Sequence, residues 1–287
     1  MSSSQRASSV GLVLGGIVSV QVGAAVATTL FDELGPTGTV LLRVLFAALV
    51  LVGVWRPTIR GSTPGGLRLA AMFGVSLAAM NLCFYEALDR IPLGIAVTLE
   101  FVGPLGVAIA ASRRALDTAW VSLAGGGILL LSPAPGGSLD ELGAALALLA
   151  GCFWAAYILL SARVGQSFSG GTGLALAMVV ATVLLLPIGI PGGGAELLDP
   201  GLLAVGLAVA LLSSAIPYSL ELEALRRLTA GTFGVLMSLE PAVAAVAGLV
   251  ILGQGLSPTE VAAIALVVAA SAGALGTARA GPAPVEA

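Results

Sequence analysis

The sequence predicts an all-α integral membrane protein whose ten transmembrane helices form two inverted five-helix repeats. Three observations carry that expectation: composition, the placement of arginine, and an internal similarity between the halves. Of 287 residues, 58% are apolar and only 9% charged, with a mean hydropathy of +1.08. A water-soluble domain of this size could not cover its surface with so few charges, so hydrocarbon is the solvent this chain suits. Ten helices of about 20 residues each leave room for short connections but for no sizeable soluble domain.

Glycine, proline and charge clusters divide the apolar runs into spans near 10–31, 36–55, 68–88, 92–112, 116–132, 142–161, 172–190, 200–221, 230–252 and 257–277. The first follows a polar tail, 1–9, and is too long for a signal-peptide core. It carries Gly11 and Gly15, a spacing that suits close helix packing. The fifth ends at Ser132-Pro133-Ala134-Pro135-Gly136-Gly137, which cannot continue a helix. The domain reading follows: a first repeat over 10–132, a linker loop over 133–141, a second repeat over 142–277, and a tail over 278–287.

Arginine tests this count independently, because positive residues stay on the cytoplasmic side of short loops. There is no lysine. With the N-terminus inside, Arg6, Arg56, Arg60, Arg68, Arg113, Arg114, Arg163, Arg226, Arg227 and Arg279 all fall on the cytoplasmic side. Arg90 lies outside and Arg43 within the second span, whereas Asp32, Glu33, Asp140, Glu141, Glu196 and Asp199 occupy outer loops. Both tails are therefore expected in the cytoplasm.

An offset of 137 residues aligns Glu86-Ala87-Leu88-Asp89-Arg90 with Glu223-Ala224-Leu225-Arg226-Arg227, then Gly94 with Gly231, Leu99 with Leu236 and Pro104 with Pro241. The charged and proline matches exceed what an Ala- and Leu-rich composition explains. Five helices per repeat force the second copy into the membrane upside down. Inverted repeats are a hallmark of secondary transporters, since exchanging the conformations of the halves moves the opening of a central cavity from one side to the other.

Ionisable groups at membrane depth need a partner or an aqueous cavity. Arg43 and Glu100 lie at similar predicted depth in the second and fourth spans, either as a structural ion pair or as a pair of site groups. Glu240 lies mid-span in the ninth, directly before Pro241, and Pro104 follows Glu100 by one turn. Each proline removes a backbone hydrogen bond and permits a kink. Asn81 and Tyr85 are one turn apart on the third span, and Ser214, Tyr218 and Glu221 form a stripe on the eighth. Gln21 and Thr28 share a face of the first span; Trp154 and Tyr157 lie three apart inside the sixth. Glu86 and Glu223 lie near helix ends, where snorkelling is the commoner role. The expected substrate-binding set is Glu100, Arg43, Asn81, Tyr85, Trp154, Tyr157, Tyr218 and Glu240, with Glu100 and Glu240 as candidate proton carriers.

Arg90-Ile91-Pro92-Leu93-Gly94-Ile95-Ala96-Val97, Leu99-Glu100-Phe101 and Gly103-Pro104-Leu105 resemble the bacterial threonine/homoserine exporters, and Leu236-Met237-Ser238-Leu239-Glu240-Pro241-Ala242 resembles their second-half signature. These exporters belong to the EamA-type drug/metabolite transporter superfamily, and the resemblance runs nearly end to end. It implies ten helices in two inverted repeats and efflux of small neutral amino acids in exchange for protons. Two departures stand out. Gln254 occupies a position where an acidic residue is common, and the first half has Gly103-Pro104 where the second has Glu240-Pro241.

The functional expectation is a proton-coupled secondary transporter in the bacterial cytoplasmic membrane, exporting small neutral amino acids by alternating access. The alternative is efflux of another metabolite, an aromatic amino acid or a cationic drug. An enzyme is disfavoured, since the chain has no histidine, and Cys83 and Cys152 do not stand in metal-ligand spacing. No cofactor, metal or nucleic-acid partner is expected; the partners are the amino acid, protons and the lipid bilayer, and the protein is expected to be a monomer or weak homodimer.

Overall fold

The computed structural model describes residues 3–57, 63–110, 115–131, 139–217 and 230–277, with Leu220 and Ala224 between the last two stretches. Every regular element among them is helical. The expected linker loop lies largely outside the described residues.

Local chemistry sets most of the boundaries. Helix α1 (Ser3–Thr28) stops before the expected residue 31, and the Thr28 and Thr29 hydroxyls donate to the carbonyls of Ala25 and Val26. Helix α2 (Phe31–Trp55) is broken near its start by Gly35, whose φ of 61° and ψ of 168° are open to glycine and strained for other residues. The uninterrupted run therefore begins at Pro36. In α3 (Pro64–Leu88) the chain enters through Thr63, whose hydroxyl accepts from the Gly66 N–H, with Pro64 in the first turn where no donor is needed.

The fourth expected span is two helices, α4 (Leu93–Glu100) and α5 (Val102–Ala110), separated by a turn at Phe101. Pro104 explains the break: it has no N–H to offer the Glu100 carbonyl, and its ring crowds that same carbonyl. Helix α6 (Ala115–Leu131) follows. Helix α7 (Glu141–Ser167) is capped by Asp140, which accepts from the Gly143 N–H at 2.6 Å, and α8 (Thr172–Gly193) runs into a short 3₁₀ turn.

Helix α9 (Pro200–Ala210) starts at Asp199, which caps Gly201 and Leu202, and passes into a π-helical segment, Leu211–Ala215. Pro217 stands four residues beyond Ser213 and removes that carbonyl's α-helical donor. The ninth expected span is likewise split, into α10 (Ala230–Met237) and α11 (Glu240–Leu252), with Ser238 and Leu239 between them. Here Pro241 denies a donor to the Met237 carbonyl. Helix α12 (Pro258–Thr277) ends the described chain.

Among the described residues six helical segments are long and apolar enough to cross a membrane: Ser9–Thr28, Phe31–Trp55, Pro64–Leu88, Glu141–Ser167, Thr172–Leu198 and Phe233–Leu252. Four shorter apolar helical stretches accompany them, at 93–107, 119–130, 200–215 and 258–274. Large apolar side chains such as Val54, Leu129 and Val250 project outward, as a lipid-facing surface requires. The chain is a multi-pass membrane protein.

Packing runs across the chain more than along it. Helix α2 lies against α8, α3 against α7 and α8, α6 against α12, α4 against α11, and α1 against α11. The closest approaches use glycine. A Cβ at Gly94 of α4 would stand 2.7 Å from Ala245 Cα in α11, and one at Gly151 of α7 would stand 2.5 Å from the Glu100 carbonyl oxygen. The second contact seats α7 against the break between α4 and α5.

Candidate functional site

Three proline-associated irregularities, at Phe101, at the π segment and at Ser238–Leu239, border one cavity of about 500 Å³. Glu100 and Pro104 line it from the first, Ser213 and Pro217 from the second, and Met237 and Glu240 from the third. Helix interruptions free backbone groups, and at membrane depth such backbone is tolerated where it borders a cavity or is buried in protein. Three of the chain's prolines, Pro104, Pro217 and Pro241, thus interrupt helices around one space.

Arg43, Asn81, Glu100, Trp154, Tyr157 and Glu240, six of the expected site residues, meet in this cavity. They come from α2, α3, α4, α7 and α11, far apart in the chain. Glu100 is 8% exposed and Glu240 6%, so both carboxyl groups are withdrawn from bulk solvent. Arg43 acts on Glu100 through space, with no hydrogen bond between the two side chains. Both groups border the same cavity.

Tyr85 departs from expectation. It is fully buried and does not line the cavity; the Arg43 guanidinium carbon lies 5.4 Å from its ring centroid. Phe31 and Phe84 flank the same ring, at centroid distances of 5.9 and 6.3 Å. The tyrosine therefore supports the arginine by a cation–π contact rather than facing the cavity itself. The one-turn spacing from Asn81 suggested a shared polar face, but Tyr85 falls where α2 covers α3.

Asn81 donates one amide hydrogen to the Leu77 carbonyl at 2.8 Å, which turns its remaining hydrogen-bonding capacity to the cavity. Trp154 stacks edge-on against Phe101, with centroids 5.4 Å apart at 84°, and Tyr157 packs on Phe73 at 5.0 Å. Both rings form an aromatic wall beside the α4–α5 break. Tyr218 lies outside the described residues, as do Glu221 and Glu223. Gln254 is placed at the end of α11, where its Oε1 accepts from the Leu93 N–H at 2.9 Å and caps α4.

Sequence reasoning passed over Gln21 and Ser213 as site residues, yet both line the cavity. The available signal for Ser213 was Pro217 four residues later, the same spacing that separates Glu100 from Pro104. Among the described residues no group of acidic, histidine or cysteine side chains is arranged to hold a metal ion.

The cavity extends from the middle of the bundle, at Glu100 and Glu240, toward the far ends of α5 and α7 and the start of α10, past Val107, Ile158 and Phe233. At the other end, α4 and α11 close together through Gly94 and Ala245. A largely apolar, aromatic-walled chamber carrying a few charged and polar side chains, shut at one end by packed half-helices inside a helical bundle, is an arrangement that suits a membrane transporter. The EamA-like transporter family matches residues 141–276. The chain is 42% identical over 271 residues to the threonine/homoserine exporter RhtA of Escherichia coli strain K12, covering 93% of this chain and 91% of that protein. To its namesake in Salmonella typhimurium strain LT2 it is 43% identical over 267 residues, covering 92% and 90%. An uncharacterized Pseudomonas aeruginosa protein, PA1977, is 33% identical over 82% of this chain and 81% of its own length. A solved crystal structure shares the fold with a TM-score of 0.64 at 18% identity, over 94% of this chain and 98% of that one. The chain belongs to the EamA-like transporter family and is a transporter, not an enzyme.

Proposed function

We propose that this protein exports small neutral amino acids of the threonine and homoserine kind across the bacterial cytoplasmic membrane, in exchange for protons. One observation carries the proposal: Arg43 and Glu100 face one membrane-depth cavity without being hydrogen-bonded to each other. A zwitterion needs both signs within a small space, and charges at this depth need a function or a partner. The names of the Escherichia coli and Salmonella relatives point the same way.

The transport cycle is alternating access between two inverted five-helix repeats, 10–132 and 142–277. Six segments long enough to span and four shorter apolar ones among the described residues support the ten-helix reading. Their pairing is what a two-fold axis in the membrane plane asks for. The second expected helix meets the seventh, the fourth meets the ninth and the fifth meets the tenth, each a contact between equivalents. Arginine placement puts both termini in the cytoplasm, so the packed α4–α11 end faces outward and the cavity faces inward.

In the cycle, the substrate ammonium sits at Glu100 and its carboxylate at Arg43, with Asn81, Trp154, Tyr157 and Glu240 completing the chamber. Tyr85 positions Arg43 from behind. A proton arriving at Glu100 or Glu240 cancels a negative charge, weakens the hold on the ammonium, and couples amino-acid release to proton entry. The test is labelled threonine in proteoliposomes under an imposed pH gradient, comparing wild type with Glu100→Gln and Glu240→Gln. Loss of proton-driven exchange in either variant is the expected result. Full proton-driven exchange in both overturns the coupling mechanism.

A further inference from the structure

Two hydrogen-bonding groups in the cavity take no part in the zwitterion scheme. Gln21 of α1 is 2% exposed and Ser213 of the π segment 4%, and both line the chamber. Among the described residues neither Gln21 Oε1 nor Ser213 Oγ has a hydrogen-bond partner. Buried polar atoms are rarely left unpaired, because each has given up its water, and an unsatisfied one calls for an explanation.

Their surroundings hold them in place. Ser19 Oγ donates to the Leu212 carbonyl at 2.7 Å and fastens α1 to the π segment. Gly23 packs so close that an added Cβ would collide with Ser213 Oγ and stand 3.0 Å from Leu212 Cβ. The serine is therefore pinned against α1, at the border of the chamber. Single π turns in helices recur at functional sites, and this one, with Pro217 beyond it, turns Ser213 as well as Ser214 into the buried side.

We infer that Gln21 and Ser213 form the subsite for the side-chain hydroxyl of the transported amino acid. The inference rests on the proposed function and adds to it the determinant of side-chain selectivity. A hydroxyl donates one hydrogen bond and accepts others. It satisfies Gln21 Oε1 as an acceptor and the Ser213 hydroxyl as a donor at once, and the Gln21 amide offers a hydrogen-bonding end in either flipped orientation. A substrate with an apolar side chain leaves both atoms unpaired. Sites built to bond a substrate hydroxyl reject the analogue that lacks it for this reason.

The probe is 2-aminobutyrate, the deoxy analogue of both threonine and homoserine. In proteoliposomes, kcat/KM for labelled threonine and for labelled 2-aminobutyrate is measured in wild type, Ser213→Ala and Gln21→Leu. Wild type prefers threonine, and each variant loses about tenfold of that preference, the equivalent of one hydrogen bond, while 2-aminobutyrate transport persists and shows the variant to be folded. Ser213→Cys, similar in size but a weak donor, replaces the alanine variant if that one transports neither compound. An unchanged preference in the Ser213 and Gln21 variants overturns the subsite while leaving amino-acid export standing, as does a wild type that moves both compounds equally well. A wild type that moves neither overturns the proposed function itself.

Discussion

Gly94→Ala probes the contact that closes one end of the cavity. The added Cβ would lie 2.7 Å from Ala245 Cα, 2.8 Å from its Cβ and 3.1 Å from its backbone nitrogen. Carbon atoms sit at about 3.5–4.0 Å when relaxed, so α4 and α11 have to separate by roughly 1 Å. Two of the three obstructing atoms are backbone and no rotamer change relieves them. Overpacking of this kind costs about 1–3 kcal/mol. That cost falls on the state in which α4 and α11 are packed, so it displaces the equilibrium toward a state in which they are apart. At about 2 kcal/mol the shift is about 30-fold. The assay places Val97→Cys, a cavity residue, in a Cys83→Ala, Cys152→Ala background and measures its labelling by a membrane-impermeant maleimide from the side bearing the α3–α4 connection. Labelling should accelerate about 10- to 30-fold in Gly94→Ala. Gly53→Ala is the control, since nothing lies within 4 Å of a Cβ there. Unchanged labelling and unchanged thermal stability in Gly94→Ala would refute the assignment of this contact as a closed gate.

Three further outcomes follow from the same geometry. Gln254→Leu removes the acceptor for the Leu93 N–H and should lower detergent-solubilised stability by about 0.5–2 kcal/mol in thermal unfolding, while Gln254→Glu keeps the cap. Tyr85→Phe retains the aromatic face beneath Arg43 and should leave transport close to wild type. Tyr85→Leu removes that face and should raise the threonine KM by about 2- to 30-fold, since cation–π contacts contribute about 0.5–2 kcal/mol. A thermal-shift panel should show threonine stabilising the purified protein more than a quaternary ammonium compound does; the reverse order would favour cationic efflux.

Much of the candidate site was legible because charge at membrane depth is costly. Arg43, Glu100 and Glu240 stand out in a sequence with so few charged residues, and all three reach the cavity. Proline marked the helix interruptions for an equally local reason: a residue without N–H cannot complete the ladder, wherever it packs. The interruption does not fall on the proline itself, however. The carbonyl that loses its partner sits one turn earlier, so the fourth span breaks at Phe101 rather than at Pro104, and Glu100 terminates α4 while Glu240 begins α11.

What the sequence missed depends on rotation about a helix axis. The stripe of Ser214, Tyr218 and Glu221 assumes 3.6 residues per turn, and a π segment changes that period locally, so that Ser213 also faces the cavity. Tyr85 was read by its spacing from Asn81, but which face α2 covers is a property of helix pairing, and the pairing buried the ring under Arg43. Gln254 read as a lost acid, whereas its amide caps a helix more than 150 residues away in the chain.

Composition by itself determined that this chain lives in a membrane and which charges are too expensive to be incidental, because each follows from the solvation of a single residue; proline marked only where a helix could break, since α8 runs on through Pro187 and Pro191. Only the tertiary structure decided that these charges share one cavity, that Tyr85 supports rather than lines it, and that Gln21 and Ser213 join it. Those outcomes depend on which helix faces meet, and that is set by close contacts such as Gly94 with Ala245 and Gly151 with Glu100, made between residues that no local rule connects.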